Sequence, residues 1–131
     1  MHEITLSTGK KTDIVDITAE IEDIVNKSGI KEGLCHIFVP HTTAGVFLNE
    51  NADPTVRADI SDALDRIIPS NIKYKHSEGN SDAHIKATLT GSAQTVFVKN
   101  GTLRLGTWQG IYFGEFDGPR TRTVWVALQE L

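Results

Sequence analysis

The sequence lacks most of the features that fix a protein's class at a glance. It holds one cysteine, Cys35, which excludes an intramolecular disulfide and a multi-cysteine zinc site and fits a reducing compartment. It has no basic excess. Thirteen Lys and Arg stand against seventeen Asp and Glu, a formal net charge of -4, which argues against a general nucleic-acid binder while leaving room for a local basic patch. No apolar run approaches the roughly 20 residues that span a bilayer, and no signal-peptide pattern opens the chain, so a soluble cytoplasmic protein without membrane contacts is expected. No internal repeat, low-complexity segment or linker divides it. With 131 residues, 39% apolar and 23% charged, residues 1–131 are expected to form one domain whose core needs neither disulfide nor structural metal.

What the chain does have is concentrated in residues 41–57, HTTAGVFLNENADPTVR. A histidine, His41, and the polar group Asn49, Glu50, Asn51 and Asp53 flank apolar Val46, Phe47 and Leu48, the pattern of a strand delivering a site to a helix N-terminus. Asp53 is a favoured N-cap acceptor, and Pro54 fits the first helical position, where its missing N–H costs nothing. Val56, Ile60, Leu64 and Ile67 then recur at helical spacing, which predicts a core-facing stripe, until Pro69 stops the run. The free N–H groups at this helix start either hold a substrate anion or are satisfied by Asp53 as a cap.

Elsewhere, Ile4 and Leu6, then Ile14 and Ile17, predict two short strands joined by a turn at Gly9-Lys10-Lys11. Thr18 reads as the N-cap of a packing helix with Ile17, Ile21, Ile24 and Val25 on one face and Gly29 as its stop. Residues 33–39 read as a buried strand in which His36 is a packed or hydrogen-bonded member, and residues 44–48 as a second strand after Pro40. A polar loop over residues 70–83 precedes an extended His84-Ile85-Lys86, and strands are predicted over 94–99, 102–105, 107–116 and 121–128. Asn100-Gly101 and Asp117-Gly118 read as hairpin turns, so the last third is expected to be an antiparallel meander. The order of elements predicts an α+β fold, an antiparallel β-sandwich or barrel-like sheet system with two packed helices.

Three histidines, His41, His76 and His84, lie outside the clear strand interiors, though none shows a tight His-x-x-x-His spacing. With Glu50 or Asp53 they form a candidate set for zinc with an open position, or they act as acid–base groups without metal. Lys86 follows His84 by two residues, so on an extended segment both leave one face, an arrangement suited to phosphate or carboxylate. Arg104, Arg120 and Arg122 either add bidentate contacts or are solvated strand residues. In Gly106-Thr107-Trp108-Gln109-Gly110 two glycines flank a Trp and an amide. Either Trp108 stacks on a flat heteroaromatic ring while Gln109 reads its edge, or Trp108 fills core. Trp125, among valines, reads as structural, and Glu115 as either an acid or an exposed strand charge.

Taken together, His41-Thr42-Thr43-Ala44, residues 49–57, the His76 loop, His84-Ile85-Lys86 and residues 106–110 resemble the YjbQ-like family of small bacterial and archaeal proteins, in its order and spacing over about residues 33–128. The resemblance implies an α+β fold on an antiparallel sheet, a homotrimer, and a secondary thiamine-phosphate synthase activity. That reaction joins a hydroxymethylpyrimidine diphosphate to a thiazole phosphate and releases pyrophosphate. The family's recurrent polar residues map onto His41, Asn49, Glu50, Asn51, Asp53, His76, His84, Lys86, Trp108 and Gln109. One departure is Ala93 where a hydroxyl is expected, with Ser92 beside it to replace it.

On that reading His41, His84 and Glu50 are the candidate catalytic groups, and Asn49, Asn51, Lys86, Trp108 and Gln109 the substrate-binding ones. His41, His76, His84 and Asp53 are the candidate metal set, for Zn²⁺ on the histidines or for Mg²⁺ with Glu50 or Asp53 at the diphosphate. The alternative is a trimeric module that binds a metal or a phosphorylated metabolite, any synthase activity being incidental. A small trimer favours clefts between subunits.

Overall fold

The computed structural model of the protein describes residues 1–131. Its elements follow in the order β1 (His2–Ser7), β2 (Asp13–Asp16), α1 (Thr18–Ser28), β3 (Glu32–Phe38), β4 (Ala44–Glu50), α2 (Pro54–Ile67), α3 (Ser81–Thr90), β5 (Ala93–Lys99), β6 (Thr102–Leu103), β7 (Gln109–Glu115) and β8 (Thr121–Glu130). Two sheets form, one ordered β1-β8-β3-β5-β6 and the other β2-β7-β4, with every pairing antiparallel. The fold is α+β, as the element pattern predicts.

The core follows from strand alternation. Cys35 and Ile37 of β3, Val96 and Val98 of β5, and Val124 and Val126 of β8 point inward from the larger sheet. Val46 of β4 with Ile111 and Phe113 of β7 meet them from the smaller one, and Ile17, Ile21 and Val25 of α1 close the cluster. Side chains of this kind each contribute about 1.5–3 kcal/mol when fully buried. His36 points outward and is held by Thr95 Oγ1 at 3.2 Å and Gln129 Oε1 at 2.9 Å, the hydrogen-bonded role expected of it.

Several local expectations are corrected. Residues 81–90, with His84-Ile85-Lys86 among them, form a third helix rather than an extended segment. Ala83 and Ala87, four apart, pack on Phe116 with Leu64 alongside, so small residues rather than a stripe of large ones make the packing face. The last third is no meander. Asn100 (φ 53) and Gly101 (φ 79) do make the tight β5–β6 hairpin, but β7 belongs to the smaller sheet and β8 lies between β1 and β3. The Asp117-Gly118 connection therefore crosses between sheets. β1 and β2 likewise fall in different sheets.

At α1 the N-cap position falls on Ile17, with no side-chain cap, and the predicted cap Thr18 is the first helical residue; Asp16 Oδ1, just before, accepts from the Thr18 N–H at 2.9 Å and the Thr18 hydroxyl at 2.6 Å. Gly29 ends that helix in the left-handed region, as predicted. Helix α2 starts as expected, Asp53 capping it and Pro54 in its first turn, but its apolar stripe is only half covered: Val56, Ile60 and Leu64 are half-buried and Ile67 is 71% exposed. No helix is long and apolar enough to cross a membrane.

Candidate functional site

The segment between β3 and β4 and the exposed flank of α3 enclose a cleft of ≈ 470 Å³. His41, Thr42 and Ala44 line it from one side. His84, Ala87, Thr88 and Gly91 line it from the other, with Ser92 beyond. The second group has the spacing i, i+3, i+4, i+7, one face of a helix. Two small residues on that face leave the space that a larger side chain would fill. Gly45 keeps the walls close, because a Cβ there would lie 2.6 Å from the carbonyl oxygen of Gly91, and the Val46 N–H donates to that oxygen at 3.0 Å. The Ser92 carbonyl, in turn, accepts from the Val39 N–H at 2.8 Å.

His41 is half-buried, and its Nε2 accepts a hydrogen bond from the Thr123 N–H at 3.0 Å. A nitrogen that accepts carries no proton, so the neutral ring holds its proton on Nδ1. Burial first, and then the charge of Arg122, lower the His41 pKa from its ordinary 6.5. His76 meets His84 edge-to-face with ring centroids 5.5 Å apart, and its Nε2 stands 3.7 Å from Glu78 Oε2. The fold thus collects the three predicted histidines at one end of the molecule. Within one chain no three His, Cys, Asp or Glu side chains stand together so as to hold an ion, and His41 Nε2 is engaged by the Thr123 N–H.

Lys86 does not line the cleft. Its side chain is 2% exposed and its Nζ donates to Asp65 of α2 at 2.5 Å. On the helix that replaces the predicted strand, positions 84 and 86 leave different faces, which separates the histidine from the cation. Asp53 is occupied as a cap, accepting from the Thr55 N–H at 2.9 Å and hydroxyl at 2.7 Å. Those bonds hold its carboxyl below the usual range.

The remaining predicted residues gather at the far end of β4. Asn49 pairs with Gly110 and Glu50 with Gln109; Asn51 donates to Asp16 Oδ2 at 3.2 Å, and its own N–H donates to the Trp108 carbonyl at 3.0 Å. Gly110 is required there, since a Cβ would lie 2.4 Å from Asn51 Nδ2. Residues 106–108 form a turn rather than strand, closed where Gln109 Oε1 accepts from the Gly106 N–H at 2.8 Å as β7 begins. Trp108 fills no core; it is 63% exposed at the tip of that turn. Seven strand residues at about 3.3 Å each put the two groups roughly 20 Å apart in one chain. A further cleft of ≈ 480 Å³ lies between Lys10, Asp13 and the side of α2 at Arg57 and Asp62, and none of the predicted residues lines it.

Two charges whose role the sequence left open, Glu115 and Arg122, form a buried ion pair beside the cleft. Glu115 is 0% exposed and Arg122 5%. Arg122 donates to Glu115 through Nε at 2.8 Å and through Nη2 at 2.5 Å, and Nη2 also reaches Thr43 Oγ1 at 2.8 Å. Burial alone would raise the Glu115 pKa, but hydrogen bonds from Arg122, the Asp117 N–H and the Thr8 hydroxyl bring it below 4.5. The only sequence signal was position: Glu115 and Arg122 bracket a crossover and sit at alternating, inward places on their strands. Arg120 is spent on Asp117 at 2.8 Å. Cys35, deep in the core, has its thiol pushed up by burial to about 11.

A family model described as UPF0047 protein YjbQ-like matches residues 2–131. The chain is 51% identical over 128 residues to a UPF0047 protein of Methanocaldococcus jannaschii, covering 98% of this chain and 93% of that one. It is 47% identical over 129 residues to UPF0047 protein YugU of Bacillus subtilis, covering 98% of both. Among solved structures it is similar to a YjbQ/UPF0047 family protein of Clostridium acetobutylicum, with a TM-score of 0.95 and 52% identity over 98% of this chain and 99% of the other. A YbjQ-like protein of unknown function from Sulfolobus solfataricus also superposes with a TM-score of 0.95, at 38% identity over 99% and 96%.

Proposed function

The chain belongs to the UPF0047 YjbQ-like family, and from that premise we propose that its histidine cleft binds a phosphorylated small molecule and serves a transfer of the thiamine-phosphate synthase type. The observation that carries this reading is the convergence of His41 and His84, from a loop and a helix, on one cavity that Thr42 and Ser92 also line, the Thr88 hydroxyl there being donated to the His84 carbonyl at 2.9 Å. Its volume lies in the range of small-molecule sites. Ser92 stands where the missing hydroxyl at Ala93 needs a substitute.

In the proposed reaction the pyrimidinylmethyl C–O bond breaks and its electron pair leaves on pyrophosphate, while the thiazole nitrogen lone pair forms the new C–N bond. The protein's tasks are to stabilise the leaving group and to align two rings. Imidazole and hydroxyl donors suit the first task. The cleft has no free cation of its own, because Lys86, Arg120 and Arg122 are each paired with a carboxylate. Counter-charge then comes with the diphosphate as Mg²⁺ or from a neighbouring subunit. Asn49, Glu50, Asn51, Trp108 and Gln109 reach the cleft only from a second chain, which the expected homotrimer supplies.

The test is thiamine phosphate formation by the purified protein from both precursors with Mg²⁺, beside His41→Ala and His84→Ala. Loss of one acid–base or donor group predicts a fall of about 10²-fold or more in each variant. The second reading, a binding module, is favoured by the separation of the two residue groups within one chain. Folded wild type that forms no product yet binds pyrophosphate would establish it.

A further inference from the structure

We propose that Glu115 and Arg122 form a positioning pair that fixes His41 as an Nδ1–H donor facing the cleft, so that the group bound there is an acceptor, an oxyanion. Neither residue lines the cavity. The inference about ligand polarity rests on the phosphometabolite reading above; the inference about the ring does not.

The pair joins the two sheets. Glu115 ends β7 in the smaller sheet and Arg122 is the second residue of β8 in the larger one. Glu115 accepts from Arg122 Nε and Nη2, from the Thr8 hydroxyl at 2.8 Å and from the Asp117 N–H at 3.1 Å, so its position is set from four directions. From there two short routes lead to His41. Arg122 Nη2 donates to Thr43 Oγ1 at 2.8 Å, and the Thr43 carbonyl accepts from the Phe116 N–H at 3.2 Å, which pins the chain two residues beyond His41. Along the backbone, Arg122 is bonded to Thr123, whose N–H holds His41 Nε2 at 3.0 Å.

That N–H is available for a reason legible in the register. The ladder between β3 and β8 runs no further than Phe38 opposite Trp125, so beyond it β8 has no strand on that side. The His41 ring takes the place of the missing acceptor. Its other nitrogen, Nδ1, has no partner in the chain and is not sealed from solvent, since the buried side-chain atoms without partners are Asn80 Oδ1 and Asp82 Oδ1. A ring anchored at Nε2 has one polar atom left to offer, and it is a donor. Stability gives little reason for the pair: apolar residues of the same volume are often as stable as a buried ion pair. A requirement for orientation does.

The test uses the full chain with ¹⁵N-labelled histidine. In wild type the His41 nitrogens are expected to report a protonated Nδ1 and an unprotonated Nε2, the reverse of the tautomer that free histidine prefers. Thr43→Val keeps the ion pair and the volume but removes one route; Arg122→Lys keeps the charge but loses the fork. Both are expected to mix the His41 tautomers and to weaken binding of inorganic pyrophosphate at least tenfold. Thr43→Val should remain folded even where Arg122→Lys does not. A wild-type ring protonated on Nε2, or a His41 signal in folded Thr43→Val identical to wild type, would overturn the positioning role. Wild type with the expected tautomer that does not bind pyrophosphate would overturn the oxyanion assignment alone, whatever the outcome of the synthase assay.

Discussion

Lys86 and Asp65 show how unequal the two halves of one ion pair can be. The ammonium is buried and the carboxylate 55% exposed, so removing either leaves a different survivor. Asp65→Asn strands a buried charge and should cost about 3 kcal/mol, whereas Lys86→Met leaves Asp65 to water and should stay within about 1 kcal/mol; chemical denaturation of the two variants checks the order, and equal losses would contradict it. Acidification acts on His41 and Glu115 in one direction. Burial and Arg122 hold His41 below 6.5, so the unfolded chain takes that proton first, and the stability this contributes, complete above 6.5, declines as pH falls below it. Glu115, held below 4.5 in the fold, adds a second decline below that value. Thermal midpoints measured against pH should therefore fall in two stages, with the first absent in His41→Gln. At this scale the sequence was legible where chemistry is local: Asp53 and Pro54 announce a helix start without reference to anything distant. Glu115 and Arg122 were legible only as open alternatives, because burial depends on the partner strand and on a counter-ion far along the chain.

Helix α3 is the element on which the site depends and the one the residue pattern hid. Its packing face is Ala83 and Ala87 against Phe116, too small to register as an apolar stripe, and His84-Ile85-Lys86 reads equally well as extended chain. Winding it as a helix sends His84 to the cleft with Thr88 and turns Lys86 into the interface with α2. The same geometry makes Gly45 a sensitive position. Alanine there would meet the Gly91 carbonyl and Thr90 side chain, pushing the C-terminal end of α3 outward; overpacking of this kind costs about 1–3 kcal/mol. Gly45→Ala is expected to lose that stability and, where folded, to bind pyrophosphate more weakly; unchanged binding would mean that α3 does not set the width of the cleft. Strands β3 and β4, by contrast, were readable as short apolar runs separated by Pro40.

For the molecule as a whole, one chain presents two groups of polar residues at opposite ends of β4 and a surface with unusual apolar exposure. Ile67, Leu89, Phe97 and Trp108 are all more than half exposed, and Phe47, Leu48, Ile60, Leu64 and Leu89 line an open groove between β4, α2 and α3. The proposed homotrimer would account for both, and sedimentation equilibrium should then give three times the 14.4 kDa chain, falling toward the monomer in Leu89→Glu; a monomeric wild type would remove any shared site. Topology was the least legible level, because which strand joins which sheet depends on contacts far apart in sequence. The central claim, that the cleft between His41 and His84 receives the phosphorylated substrate, is tested most directly by titrating hydroxymethylpyrimidine diphosphate into ¹⁵N-histidine-labelled protein. His36, fixed by Thr95 and Gln129 on the outer face of the sheet, serves as the internal control. The account predicts saturable shifts at His41 and His84 with His36 unmoved; shifts confined to His36, or none at His41 and His84, would contradict it.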